Sequence, residues 1–178
     1  MSNWKEWKYD LFRKRLEKDL KFRKSDVAKP PINNAQNIGV LWTEKEQYPL
    51  PKIKGLLRDW ENRGSEAYYF CYFPNLKKDE PLPFDGIAPT NINWLGIPKW
   101  DSIKQFVDKP FDLLLVLDEF PPPPVEYIQC HSMARFKIGI GTNPSKELDL
   151  KLETGDQFDL DKFWRDLTFF MDKFSLKT

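Results

Sequence analysis

The chain has 178 residues, 40% of them hydrophobic, which suits one globular domain and excludes a disordered chain. Its two cysteines and one histidine are too few for the usual zinc site, which draws four such ligands. The formal net charge is +1, but residues 1–29 contain ten basic and five acidic side chains, so that segment carries +5 and the rest of the chain −4.

The first twenty residues are charged throughout and lack the apolar stretch of a secretory signal. No part of the chain approaches the ~18 consecutive apolar residues that a membrane-spanning helix needs. We therefore expect a cytoplasmic protein.

A basic amphipathic helix is predicted over residues 3–27, because the prolines Pro30 and Pro31 cannot continue it. Apolar side chains recur at helical spacing and are expected to share one side of this helix: Trp4, Trp7, Leu11, Phe12, Leu16 and Leu20. We treat residues 1–29 as an appendage and residues 30–178 as a single α/β domain.

Strands and helices alternate over the rest of the chain. The predicted strands cover 37–42, 66–73, a short segment around 92–95, 111–118, 135–141 and a possible edge strand at 148–153. The predicted helices cover 50–64, 101–110, 124–134 and 159–174. Asp101 or Ser102 is expected to cap the second of these helices. The apolar run "FDLLLVLD" is typical of a central parallel strand, and we predict a three-layer α/β sandwich with a mainly parallel, Rossmann-like sheet.

Three segments, "NINWLGIPK", "DKPFDLLLVLD" and "MARFKIGIG", carry a resemblance to a known family. The chain resembles an uncharacterised family of short bacterial proteins, typical of Bacteroidota. That family has a basic N-terminal helix, a W-x-G-x-P-like element, a "P-F-D-L-L-I" strand and a final "A-K-F-K-V-G" strand. The resemblance covers most of the chain and implies no established activity, so it supplies no catalytic residue and no cofactor.

Two segments, Phe111–Asp118 and Phe136–Ile140, are also similar to the N-terminal half of heptosyltransferase-like glycosyltransferases. In those enzymes a "Y-D-L-V-I-D-L" strand precedes a helix and an "R-I-G-F" strand. This chain is too short to hold their nucleotide-sugar-binding half, and its loop after residue 118 is acidic and rich in proline. The similarity supports the fold more than the function.

The loops after the predicted strands are poorly suited to a nucleotide phosphate. "TEKEQYPLP" has no glycine, and "DEFPPPP" places two acids beside four prolines that lack N–H donors. The residues that would face a cofactor at these strand ends are Thr43, Asp118, Glu119 and Gly141. We interpret Asp118 and Glu119 as solvated strand-end residues and the proline run as architectural, with a cation or a proline-reading partner as its remaining functional options.

Other reactive side chains have structural interpretations. Cys71 and Cys130 are expected to be buried free thiols, with a Cys71–Cys130 disulfide as the alternative. His131 is expected to be a structural or surface histidine, because Cys130 and Ser132 are its sequence neighbours and point away from it on a helix. The sequence therefore predicts no catalytic residue, no metal site and no cofactor.

The basic helix is the best candidate for contact with a partner. The residues concerned are Trp4, Trp7, Arg13, Lys14, Lys18, Lys21 and Lys24. They could meet RNA phosphates or an anionic membrane surface, or the helix could simply cover one flank of the sheet with a solvated basic face. The oligomeric state stays open.

Our hypothesis is a non-catalytic binding or scaffold α/β domain that meets a protein partner through this helix or through a sheet edge. The alternative is an enzyme-like nucleotide- or sugar-nucleotide-binding domain, related to half of a glycosyltransferase.

Overall fold

The computed structural model of the chain describes residues 2–21, 35–153, 155 and 159–175. Within these ranges the helices are α1 (Ser2–Leu20), α2 (Leu50–Asn62), α3 (Trp100–Val107), α4 (Pro123–His131) and α5 (Leu160–Ser175). The strands are β1 (Asn37–Thr43), β2 (Glu66–Tyr72), β3 (Gly86–Ile87), β4 (Leu113–Val116), β5 (Lys137–Ile140) and β6 (Leu150–Leu152). None of the described helices is both long and apolar enough to cross a membrane.

The six strands form one sheet in the order β3-β2-β1-β4-β5-β6, and every neighbouring pair is parallel. This is the strand order of the Rossmann fold, so the predicted fold class is confirmed. The apolar run of β4 is buried at all four positions, as expected of a strand covered on both faces. The order reverses between β1 and β4, which places a crevice at the carboxyl ends of these two strands.

Alternating side chains of the central strands face two separate cores. Val40 and Leu115 belong to the core under α2 and α5, whereas Leu41 and Leu114 belong to the core under α3 and α4. Phe12 of α1 joins the second core, and α1 contacts α4. The molecule therefore has three layers, with α1 packed against α4 on the side of the second core.

Helix α1 is shorter than the predicted helix, and only some of its apolar residues are buried. It ends at Leu20, Lys21 lies in a turn, and the remainder of the predicted 3–27 helix lies outside the described residues. Phe12 and Leu16 are buried, but Trp4 and Trp7 are exposed, so the described protein covers only part of the apolar residues of this helix. The two tryptophans precede the part of α1 whose side chains bond to α4.

Two further predictions were wrong in the segment between β2 and α3. The third strand is Gly86–Ile87, whereas residues 92–98 form a turn closed by an isolated antiparallel bridge between Ile92 and Pro98. Helix α3 begins at Trp100 with Lys99 at the N-cap position, so Asp101 and Ser102 both lie inside the helix. The Ser102 hydroxyl instead accepts a hydrogen bond from the Asn91 side chain.

Cys71 and Cys130 are both buried free thiols, as predicted. Burial raises the pKa of the Cys130 thiol to about 12 and raises the pKa of Cys71 still further. Because thiolates are the reactive form, both cysteines are unreactive in the folded protein. His131 is buried as well; its ring stacks on Tyr127, and its Nδ1 lies 2.9 Å from the Tyr127 carbonyl oxygen.

Candidate functional site

An internal polar cluster lies at the carboxyl ends of β1 and β4, where the crevice is expected. Asp118 follows β4, and one of its carboxylate oxygens accepts hydrogen bonds from the Thr43 backbone N–H at 2.8 Å and from the Thr43 hydroxyl at 2.9 Å. The other oxygen lies 3.1 Å from the Lys45 ammonium. The side chain of Asp118 is only 1% exposed. The expectation that it is solvated was wrong, because the last residue of β1 supplies two donors and the loop after β1 supplies a third, and these hold the carboxylate inside.

The other two strand-end candidates do not complete a site with this cluster. Glu119 directly follows Asp118 in the chain and is half-buried. A Cβ on Gly141 would lie 2.5 Å from the Glu153 carboxyl group, so this glycine packs against the residue that follows β6. Among the residues that the structure describes, no group of three His, Cys, Asp or Glu side chains is arranged to hold a metal ion.

A second buried polar cluster fixes the loop after β5. The Asn143 side-chain amide donates to the Asp118 carbonyl at 3.1 Å and to the Gln129 side chain at 3.4 Å. Its carbonyl oxygen accepts the Ser145 backbone N–H at 3.0 Å. These bonds tie the loop to the segment after β4 and to α4.

An open pocket lies elsewhere on the carboxyl edge, beyond the ends of β2 and β3. We call it the helix–loop pocket; it has a volume of about 530 Å³. Its lining consists of Lys5, Lys8 and Tyr9 from α1, residues 92–96 from the turn before α3, residues 122–124 from the proline run, and Tyr72 and Pro89. Volumes of this size are typical of ligand-binding clefts.

The turn in this lining is rigid for local reasons. The Asn93 side-chain oxygen accepts the backbone N–H groups of Leu95 and Ile97, at 2.9 and 3.0 Å. Gly96 has a φ of +90°, which a residue with a side chain rarely adopts, and a Cβ there would lie 2.8 Å from Pro123. The "NWLGIP" turn is therefore packed directly against the proline run and presents Trp94 outward.

A buried carboxylate positions α1 over the pocket. Glu126, in the first turn of α4, is 1% exposed and forms an ion pair with Arg13. It also accepts a hydrogen bond from the Tyr9 hydroxyl at 3.0 Å, and Tyr127 donates to Asp19 at 3.3 Å. Burial, followed by the charge of Glu126, raises the pKa of Tyr9 to about 12. These contacts hold the segment of α1 that carries Lys5 and Lys8.

The chemistry of the helix–loop pocket is apolar with a basic rim. Lys5 and Lys8 are its charged groups, and none of the ion pairs within the described part of the chain involves either of them. Burial raises the pKa of the Tyr72 phenol, which therefore stays neutral. The lining thus offers a large apolar surface and two uncompensated positive charges.

The predicted partner residues of α1 have different environments. Trp4 and Trp7 are 64% and 46% exposed, and their rings pack on each other with centroids 4.9 Å apart. The side chains of Lys14, Lys18 and Lys21 are exposed, and Lys24 lies outside the described residues. Arg13 is instead held by Glu126.

Sequence reasoning missed the pocket, although it singled out its parts. The basic helix, the W-x-G-x-P-like element and the proline run were each noted separately. One sequence feature could have indicated that these three segments lie close together: each of them either follows a predicted strand or flanks the sheet at its carboxyl edge. Their contact depends on Gly96 packing on Pro123, which sequence spacing does not show.

Comparison with known proteins identified a family for this chain. No curated protein and no solved structure matches the chain significantly. The similarity to heptosyltransferase-like glycosyltransferases therefore stays a prediction. A family of unknown function matches residues 8–174, which include all six strands and most of α1. Since this match covers almost the whole chain, the protein belongs to the family of unknown function DUF6913.

Proposed function

We propose that this protein is a non-catalytic binding domain and that the helix–loop pocket is its binding site. One observation carries the proposal: three segments with no role in the sheet converge on a single apolar cleft at its carboxyl edge. In parallel α/β sheets this edge is where ligands bind. The cleft is walled by a fixed turn and by prolines, so it exists before any ligand arrives.

Binding is better supported than catalysis by the side chains present. The described lining residues include no Ser, Cys, His, Asp or Glu, so a nucleophile beside a carboxylate or imidazole base is missing from the cleft. The two cysteines and His131 are buried outside it. What the cleft offers is aromatic and prolyl surface, which contributes affinity through burial.

A nucleotide- or sugar-nucleotide-binding domain is the second candidate, favoured by the sheet order. The crevice between β1 and β4 is where dinucleotides bind in this fold. Here the carboxylate of Asp118 accepts the Thr43 N–H, one of the donors that a phosphate would need, and the Lys45 charge is also directed to it. This arrangement favours the helix–loop pocket over the crevice.

A fragment screen by thermal shift tests the proposal. A ligand present at 100 times its Kd stabilises a protein by about 2.7 kcal/mol, which corresponds to a Tm rise of roughly 5–10 °C for a domain of this size. We expect apolar fragments to produce such shifts. Trp94→Ala should weaken the binding of these fragments by about tenfold, because it removes an aromatic contact worth about 1 kcal/mol or more.

The matched control is Phe169→Ala, since Phe169 is an equally exposed aromatic residue (66% against 61%) on α5, over the other face of the sheet. Fragment binding should be unchanged in that variant. Stabilisation by a nucleotide that Trp94→Ala leaves intact would instead support the second candidate. A cytoplasmic location stays a prediction.

A further inference from the structure

We infer that the occupant of the helix–loop pocket is a small amphipathic anion, with an apolar body in the cleft and an acidic head group held by Lys5 and Lys8. This inference rests on the proposed function and specifies the chemistry of the ligand. It covers free carboxylates, sulfonates and phosphates that carry an apolar chain or ring system.

The charge argument starts from the polar groups of the lining. The Tyr9 hydroxyl already donates to Glu126, and the Asn93 oxygen already accepts two backbone N–H groups of its own turn. The Lys5 and Lys8 ammonium groups have no counter-charge among the described residues of the pocket. An anionic head group therefore meets two donors that no protein group has neutralised.

The apolar argument comes from the walls. Residues 122–124 are prolines, so this side of the cleft presents ring carbons and no backbone N–H donors. Trp94, Ile92 and Leu95, from the turn that packs on these prolines, add further apolar surface to the lining. Such walls bury an alkyl or aromatic body favourably and offer little to a sugar or a bare phosphate.

The placement of the two lysines explains why a cleft ligand is favoured over a membrane surface. Lys5 and Lys8 are one helical turn apart and both line the cavity, whereas Lys14 and Lys18 lie farther along α1 and do not. A membrane would be attracted by the exposed basic charge of α1 as a whole. The inferred ligand depends only on the first pair.

Calorimetric titration with decanoate and with 1-decanol, both below the concentration at which they aggregate, tests the inference. We expect wild-type protein to bind decanoate at least about tenfold more tightly than the neutral alcohol. The double variant Lys5→Gln/Lys8→Gln should lose about tenfold in decanoate affinity and keep its affinity for the alcohol. Lys14→Gln/Lys18→Gln, which makes the same charge change on the same helix, should behave as wild type.

Three other outcomes would overturn the inference in different ways. Equal affinity for both probes, unaffected by Lys5→Gln/Lys8→Gln, would show an apolar site without charge selection and would leave the proposed function standing. No binding of either probe would count against both the inference and the proposed function. Binding to vesicles of phosphatidylcholine with phosphatidylglycerol, without binding of monomeric decanoate, would assign the lysines to a membrane surface.

Discussion

Arg13→Met is expected to lower the free energy of unfolding by about 2–3 kcal/mol. The Glu126 carboxylate is 1% exposed in the structure. Without Arg13 it keeps the hydrogen bond from the Tyr9 hydroxyl but loses the positive charge that pairs with it. Removing one member of a buried ion pair costs about 3–5 kcal/mol. We expect less here because the Arg13 side chain is 35% exposed and water partly screens the pair. Urea denaturation of the purified variant measures the effect.

A double-mutant cycle separates the ion pair from general disruption of α1. Arg13→Met combined with Glu126→Met should be more stable than Arg13→Met alone, since no unpaired buried charge remains. Arg15→Met is the matched control, because Arg15 pairs with Asp19 on the exposed surface and should contribute less than about 1 kcal/mol. If Arg13→Met were as mild as Arg15→Met, Glu126 would not be what holds α1 in place.

Phe111→Ala is expected to lower the free energy of unfolding by about 3–5 kcal/mol, as truncation of a buried phenylalanine usually does. Phe111 is fully buried just before β4, and its ring lies 4.9 Å from that of Phe106. The ring also lies against Gly39 of β1, where a Cβ would approach it to 2.9 Å. The glycine and the phenylalanine therefore fill one space together, and truncating the ring leaves a cavity between strand and helix.

The midpoint and slope of urea denaturation measure this loss. Phe169→Ala is again the control, because Phe169 is exposed on α5 and should change stability by less than about 0.5 kcal/mol. A loss below about 1 kcal/mol for Phe111→Ala would contradict the close packing of Phe111 on Gly39.

The parallel sheet could be predicted because its evidence is local. The apolar run around Leu113–Val116 and the alternation of predicted strands and helices reflect short-range propensity and periodicity. The predicted third strand failed for a local reason as well. The side chain of Asn93 competes for the N–H groups of Leu95 and Ile97, and this favours a turn over a strand.

The burial of Asp118 and the formation of the helix–loop pocket could not be predicted, because both depend on contacts between distant segments. Asp118 is buried by donors from Thr43 and Lys45, about 75 positions earlier in the chain. The charge of Arg13 was interpreted as part of a basic surface, but its partner Glu126 lies 113 positions away. Composition shows the number of charges and not which of them face each other.

The most direct test of the binding site is a protein-observed NMR titration that follows the side-chain N–H signals of the seven tryptophans. Decanoate and 1-decanol are added in turn to ¹⁵N-labelled protein. The structure predicts a shift of the Trp94 signal, with the buried Trp42 on the other face unchanged. Shifts at the backbone amides of Thr43, Lys45 and Asp118, with Trp94 unaffected, would place the binding site in the crevice and contradict the assignment to the helix–loop pocket.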